Sequence, residues 1–315
     1  MSKLKIIFMG TPDFAVGILQ SVLQNEYEVV GVITAADKPA GRGQKIKYSA
    51  VKNFALDKGL HLLQPTSLKD PLFLEELANL NANLQIVVAF RMLPEVVWKM
   101  PSLGTFNLHA SLLPNYRGAA PINWAIINGE TKTGVTTFFI DDKIDTGAMI
   151  LKKEIPINEE DTIGTLHDKL MLLGTLAVNE TLKLIETDQV KLTMQTAELE
   201  IKTAYKLNKE NCKIDFKKSG EEIRNLIRGL NPYPAAWCFI KNESVETTAK
   251  IFDVALDHTA HNLEIGTIIT SKKELKIALE NGFLQVKSIQ LSGKRQLKTE
   301  ELLNGMLFSK DSKAY

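Results

Sequence analysis

An α/β fold is predicted: a Rossmann-like doubly wound parallel sheet in the N-terminal part, followed by a small OB-like β-barrel. Three observations predict it. The nearly unbroken apolar run Leu4–Met9 reads as a strand buried on both faces, the kind that builds parallel sheets. Phe14, Ile18, Leu19 and Val22 follow at helical spacing, and Val29–Thr34 reads as a second strand. That β-α-β order implies a right-handed crossover. Beyond about residue 206 the texture changes to one helix and several short strand-like segments. A chain of 315 residues exceeds one average domain and suits two.

At the first turn, Gly10-Thr11-Pro12-Asp13 starts a helix, with Thr11 as cap, Pro12 in the first helical position and Asp13 complementing the dipole. Gly10 stands alone where a dinucleotide fingerprint needs three glycines, so no dinucleotide site is read there. Ala35–Lys47 is a long loop carrying Lys38, Arg42, Lys45 and Lys47 against Asp37. Pro39, Gly41 and Gly43 argue against regular structure in it, and about 2–6 residues is the usual length of such a connection. A helix from about Ser49 to Lys58, a short strand at His61–Leu63, a helix over Leu68–Leu80 and a buried strand over Gln85–Phe90 follow.

Phe106 and Leu108 alternate with Asn107 and His109, so the amide and the imidazole share one face of a strand. Side by side, they suit the donation of two hydrogen bonds to one oxygen, as an oxyanion in acyl transfer requires. A turn at Ser111–Pro114 and a helix over Ile122–Ile127 come next, which places the pair at the carboxyl end of a strand. Strands at Val135–Ile140 and Ala148–Ile155 flank Ile144-Asp145-Thr146-Gly147, where Asp145 is the third candidate, a carboxylate to orient and charge the imidazole. Thr162–Glu186 is a long amphipathic helix with Ile163, Leu166, Leu170, Leu173, Leu176, Ala177 and Leu184 inward. His167 on that helix is read as a packing or solvent-edge histidine.

The domains are expected at 1–190 and 207–315, joined by a linker over 191–206 of little periodicity. In the second domain, Cys212–Phe216 is strand-like and Ser219–Leu230 is a capped helix. Strands are expected at Ala236–Ile240, Thr248–Ala255, Gly266–Thr270, Leu275–Ala278 and Phe283–Ile289. Trp237 is read as core, and His258 and His261 lie in a polar loop without the company a metal site needs.

Hydrophobic content of 44% and charged content of 24% are ordinary for a globular chain. No apolar run approaches the ~20 residues of a membrane span, and no signal-peptide core precedes the first strand. Cys212 and Cys238 make neither a disulfide framework nor a metal cluster. A cytoplasmic, monomeric protein is expected. Net charge is +1 overall, but −3 over residues 1–204 and +4 over 205–315, a faint electrostatic pointer to a polyanion.

Asn107-x-His109, then Ser111-Leu112-Leu113-Pro114-x-Tyr116-Arg117-Gly118, then Asp145-Thr146-Gly147, in that order, resemble the 10-formyltetrahydrofolate-dependent formyltransferases. The opening Phe8-Met9-Gly10-Thr11-Pro12-Asp13-Phe14-Ala15 and the loop Asp37-Lys38-Pro39-Ala40-Gly41-Arg42-Gly43 resemble the branch whose acceptor is charged initiator methionyl-tRNA. The likeness runs along essentially the whole chain. It implies Asn107, His109 and Asp145 as catalytic residues, and Ser111, Leu112, Leu113 and Pro114 along the folate. It further implies Arg42, Lys38, Lys45 and Lys47 at the tRNA, 10-formyltetrahydrofolate as formyl donor, and no metal. Three departures stand out: no Tyr-Gly pair near Phe90 and Arg91, with a loop one residue shorter; Lys143 where a Gly is usual; and Ala148 where a second Asp is usual. Two other readings keep part of the pattern: a transferase acting on an amino sugar or on folate or purine intermediates, and a tRNA-binding module without activity. Retention of all three catalytic candidates disfavours the last.

Overall fold

The structure is a computed structural model that describes residues 3–40, 45–196 and 200–315. Its residues form two compact units. One comprises 1–121, 133–155 and 167–203, the other 122–132, 156–166 and 204–315.

The first unit is built on a seven-stranded sheet of β1 (Lys5–Gly10), β2 (Glu28–Ile33), β5 (Leu62–Leu63), β6 (Leu84–Val88), β7 (Thr105–His109), β9 (Lys132–Phe139) and β10 (Met149–Pro156). Its order is β10-β9-β7-β6-β1-β2-β5. The pairs from β7 through β6, β1 and β2 to β5 are parallel, whereas β9 joins β7 antiparallel. The chain winds outward from β1 to β2 and β5, then returns to lay β6 and β7 on the other side. The switch point therefore falls between β1 and β6, and ligands of such sheets sit at the strands' carboxyl ends.

Helix α1 (Asp13–Gln24) buries Phe14, Ala15, Ile18, Leu19 and Val22. It starts one residue later than expected, and Thr11 does not cap it. Pro12 is the extended N-cap, with no side-chain bond, and its carbonyl accepts from Ala15 and Val16 at 3.0 and 3.3 Å. A Cβ on Gly10 would lie 2.5 Å from that of Ala15 and 3.1 Å from the Val88 carbonyl oxygen. Gly10 thus serves close packing of helix on sheet, not a dinucleotide.

Two parts of the basic loop are regular, contrary to expectation. β3 (Lys38–Ala40) and β4 (Lys45–Lys47) pair antiparallel. Pro39 is tolerated because a two-stranded ribbon is all edge, so a missing N–H need leave no ladder bond unmade. Ser49 caps α2 (Ala50–Asp57). The next helix, α3 (Pro71–Asn79), begins at Pro71 and not at Leu68: Asp70 accepts from the Leu72 and Phe73 amides, and Pro71 takes the first position, where its missing donor costs nothing. α4 (Glu95–Trp98), the short β8 (Arg117–Gly118) and α5 (Pro121–Ile127) follow.

α6 (Ile163–Glu186) has the expected extent and a slightly rotated face. Leu166, Leu170, Ala177, Val178, Leu182 and Ile185 are buried, and Leu176 is 61% exposed. Gly174 sits where a Cβ would meet Leu108 at 2.9 Å and Ile18 at 3.1 Å. This close approach is made at a residue that a hydrophobicity pattern passes over.

The second unit contains β11 (Thr203–Ala204) in part, α7 (Gly220–Leu230), β12 (Ala236–Asn242), β13 (Val245–Asp257), β14 (Ile268–Thr270), β15 (Leu275–Leu279), β16 (Gly282–Leu291), β17 (Leu297–Lys298), α8 (Thr299–Leu303) and β18 (Lys313–Ala314). The order β14-β15-β16-β13-β12-β18 closes through a Thr267–Lys313 bridge, giving a nearly closed antiparallel barrel. Ile223 and Ile227 of α7 enter its core beside Ile240, Ile251, Ile277, Leu284 and Ile289. Ser219 and Glu222 form a reciprocal capping box. Cys212–Phe216 is no strand. Alternate Cys212, Ile214 and Phe216 are buried, but the segment makes a single bridge, Lys213 to Trp237.

Candidate active site

Strand β7 delivers Asn107 and His109 two residues apart on one face, as the alternation requires. His109 is buried. Its Nε2 lies 2.7 Å from the Tyr116 carbonyl oxygen; a carbonyl only accepts, so that nitrogen carries the hydrogen and donates. Nδ1 faces Asp145 Oδ2 at 3.9 Å, beyond hydrogen-bond reach. Asn107 Oδ1 is buried and has no hydrogen-bond partner among the described residues. An orphaned buried acceptor is uncommon and calls for a reason. A ligand N–H or O–H at this strand end supplies one.

Asp145 lies on the loop between β9 and β10 with φ +55°, a conformation that few residues other than glycine adopt. Its carboxylate accepts from the Gly118 amide at 2.9 Å. Two residues on, a Cβ at Gly147 would stand 1.7 Å from the Phe139 carbonyl oxygen, so only glycine fits. Asp141 organises the rest of the loop, accepting from the Thr146 hydroxyl at 2.8 Å and from the Lys143 amide at 3.1 Å.

The turn after β7 is fastened internally. Ser111 Oγ donates to the Asn115 carbonyl at 2.7 Å. Thr136, opposite His109 on β9, donates to the Ser111 carbonyl at 2.7 Å and accepts from the Leu113 amide at 3.2 Å. Ser111, Leu113 and Pro114 are buried and only Leu112 of this set keeps partial exposure. The turn frames the strand end, and most of its side chains are spent on the fold.

A formyl transferase family model matches residues 3–182, and a model of the formyl transferase C-terminal domain matches 206–307. Methionyl-tRNA formyltransferase of Flavobacterium johnsoniae is 68% identical over 315 residues, covering all of both chains. That of Bacteroides thetaiotaomicron is 53% identical over 311 residues, 97% of each chain. The chain belongs to the methionyl-tRNA formyltransferase family. Among solved structures, an N-formyltransferase from Helicobacter canadensis, in complex with folinic acid and dTDP-3-aminofucose, superposes with a TM-score of 0.66 at 23% identity, over 93% of this chain and 100% of that one. A sugar 3N-formyl transferase gives 0.65 at 24%, over 94% and 100%. At such identities the likeness is one of fold.

The other candidates of this formyltransferase fall as follows. Arg42 lies outside the described residues. Lys38 and Lys47 are exposed and face each other across the ribbon, and the backbone of Lys45 pairs with Ala40. Asp37, the acid at the ribbon's root, is engaged by Lys52 at 2.5 Å and Gln64 at 2.9 Å; Lys52 first, then Gln64, hold its carboxyl below the usual range. Arg91 braces a neighbouring loop, donating to the Thr66 and Pro65 carbonyls at 2.9 and 2.6 Å. His167 packs edge-on against Phe14, and His261 donates to the Gly282 carbonyl at 2.8 Å. His258 is exposed. Trp237 packs on the barrel core with its indole N–H on the Lys209 carbonyl. Among the described residues, no group of three His, Cys, Asp or Glu side chains is placed to hold a metal, and no helix is long and apolar enough to cross a membrane.

Sequence reading missed one participant, Gln195, inside the expected linker. That stretch is anchored: Thr193 bridges Met149, and Lys202 bonds Asn115 and Tyr116. Gln195 Nε2 donates to the Asp145 and Gly147 carbonyls, both at 2.9 Å. Its Oε1 accepts from Arg117 Nε and Nη2 at 3.1 and 2.7 Å. No periodicity marks it, because its partners are backbone carbonyls far away in sequence.

Proposed function

We propose that the chain transfers the formyl group of 10-formyltetrahydrofolate to the α-amino group of methionine on charged initiator tRNA. The observation that carries this is the 68% identity, end to end, with a protein of that name. The juxtaposition of Asn107, His109 and Asp145 supports it. The amine attacks the formyl carbon, the carbonyl electrons move to oxygen, and collapse expels the folate nitrogen, which takes up a proton. With Nε2–H held by Tyr116, the Nδ1 side of His109 is the one left for the reaction. Asn107, through its amide N–H, and His109, as an imidazolium that carries a proton on Nδ1 as well, stabilise the oxygen that gains charge, where one donor is commonly worth ~2.7–4 kcal/mol. Asp145 keeps the imidazole oriented and receives, through water or directly, the proton the amine loses. No covalent enzyme intermediate is needed.

The turn Ser111–Pro114 frames the folate, with Leu112 its part-exposed member. Lys38, Lys45 and Lys47 supply phosphate contacts, and Arg42, between two glycines, reaches the acceptor end with its planar fork. Residues 207–315 form the tRNA-binding part, favoured by the +4 charge over 205–315 and the salt-dependent strength of phosphate contacts. The protein acts as a monomer.

The test is transfer of radiolabelled formyl from 10-formyltetrahydrofolate, with charged initiator tRNA, uncharged tRNA or an amino-sugar nucleotide as acceptor. Label in formylmethionine, and only with charged tRNA, is the expected result. Transfer to the sugar with none to tRNA would overturn the reading.

A further inference from the structure

We propose that Gln195 is a positioning residue that holds Asp145 in its reactive conformation, an inference that rests on the catalytic reading of Asp145 given above. Asp145 holds a left-handed backbone, φ +55°, which Asp tolerates better than most residues but still at a cost. A non-glycine residue in the left-handed region persists only where its surroundings over-determine it. The surroundings here form a closed circuit. The Asp145 carboxylate accepts from the Gly118 amide at 2.9 Å. Gly118 is joined to Arg117, whose guanidinium donates twice to Gln195 Oε1, at 3.1 and 2.7 Å. Gln195 Nε2 returns to the Asp145 loop, donating to the Asp145 and Gly147 carbonyls at 2.9 Å each.

Both ends of Asp145 are therefore tied to adjacent residues of one strand, the carboxylate to Gly118 and the main chain, through Gln195, to Arg117. Gln195 comes to this place because Thr193 and Met149 exchange both backbone bonds, at 2.8 and 2.9 Å. In that antiparallel register the residue two after Thr193 lies opposite Gly147. An amide side chain is what the place requires. It must accept from a guanidinium on one edge and donate to two carbonyls on the other, which neither a carboxylate nor an ammonium does. Without the two donated bonds, Asp145 is free to relax toward negative φ, which swings its carboxylate away from His109 Nδ1.

The test is steady-state kinetics and thermal unfolding of the full chain carrying Gln195→Ala, Gln195→Glu, Arg117→Ala, Asp145→Asn and the Gln195→Ala/Asp145→Asn pair. Gln195→Ala should lower kcat about 10–100-fold, the scale of a small misplacement in an active site, with KM for both substrates within about twofold of wild type. Gln195→Glu should be no better, since it keeps the Arg117 contacts but turns an oxygen on the two carbonyls. Arg117→Ala should cost less than either. The double variant should be no slower than Asp145→Asn alone, because the two residues act as a unit. If Gln195→Ala melts below the assay temperature, Gln195→Met, which fills similar space without hydrogen bonds, takes its place. Wild-type kcat in the Gln195 variant beside a slow Asp145→Asn would overturn the positioning role alone. Additive losses would also overturn it, by placing the action of Gln195 elsewhere. Asp145→Asn at the wild-type rate would overturn the catalytic reading of Asp145 as well.

Discussion

Asn107 is the side chain whose condition most needs a ligand to explain it. Its buried Oδ1 lacks a partner among the described residues, and leaving such a group unmet costs about 1–3 kcal/mol. Removing it should therefore cost the fold little while removing a donor that the proposed reaction uses. Asn107→Ala is expected to lower kcat about 10²–10³-fold with an unchanged or slightly raised Tm, and His109→Ala to lower kcat comparably. Steady-state kinetics with parallel melting curves check this. A destabilised but fully active Asn107→Ala would make Asn107 structural. Both cysteines are buried. Burial pushes the Cys238 thiol up to about 12 and raises that of Cys212, so little thiolate exists to react. Ellman's reagent at pH 8 should leave both thiols of the native protein unlabelled over minutes and react with both in guanidinium chloride.

At the scale of elements, the barrel carries a charge pair whose sign can be worked out. Asp257, at the end of β13, accepts from Lys276 of β15 at 2.8 Å and from the Thr259 amide at 2.9 Å. The Lys276 hydrogen bond first, then Thr259, hold its carboxyl well below the usual range, and Lys276 is raised in turn. A depressed carboxyl stabilises the fold fully above its ordinary value of ~3.9 and loses that contribution as pH falls through the folded value. Asp257→Asn should therefore lower Tm at pH 7, and the gap to wild type should narrow steadily below about pH 4. A gap independent of pH between 7 and 2 would show that shape, not charge, matters at this site.

On the scale of the whole molecule, the compact units are not separated by one cut in the chain. Segments 122–132 and 156–166 group with 204–315. Asn123 donates to the Gly229 carbonyl at 2.8 Å, Arg228 donates to the Asn158 and Asp161 carbonyls at 3.2 and 3.0 Å, and Ile127 packs against the barrel core. A chain ending at residue 206 would lose these bonds and this packing. It should melt well below the full-length protein and bind a hydrophobic dye in its native baseline, as measured by differential scanning fluorimetry with and without the truncation. Equal Tm and no dye binding would mean that these two segments find other cover.

Much was legible from residues alone. The apolar runs at β1 and β6, the helical spacing in α1 and α6, the Ser219–Glu222 cap, and the alternation that sets Asn107 beside His109 are local signals, carried by residues within one or two turns of each other. The place of Asp145 on a loop between two strands was legible too. The tertiary structure alone decided the rest. Pro39 sits in a ribbon strand, Leu176 points to solvent beside the buried Gly174, and Gln195 ties the Asp145 loop to Arg117 while Ser111 and Leu113 are buried in the turn after β7. Periodicity reports which face of an element loses water. It is silent about which carbonyl, 48 or 50 residues earlier, a polar side chain in an aperiodic stretch will satisfy, because that choice is made by chain topology once the sheet has formed.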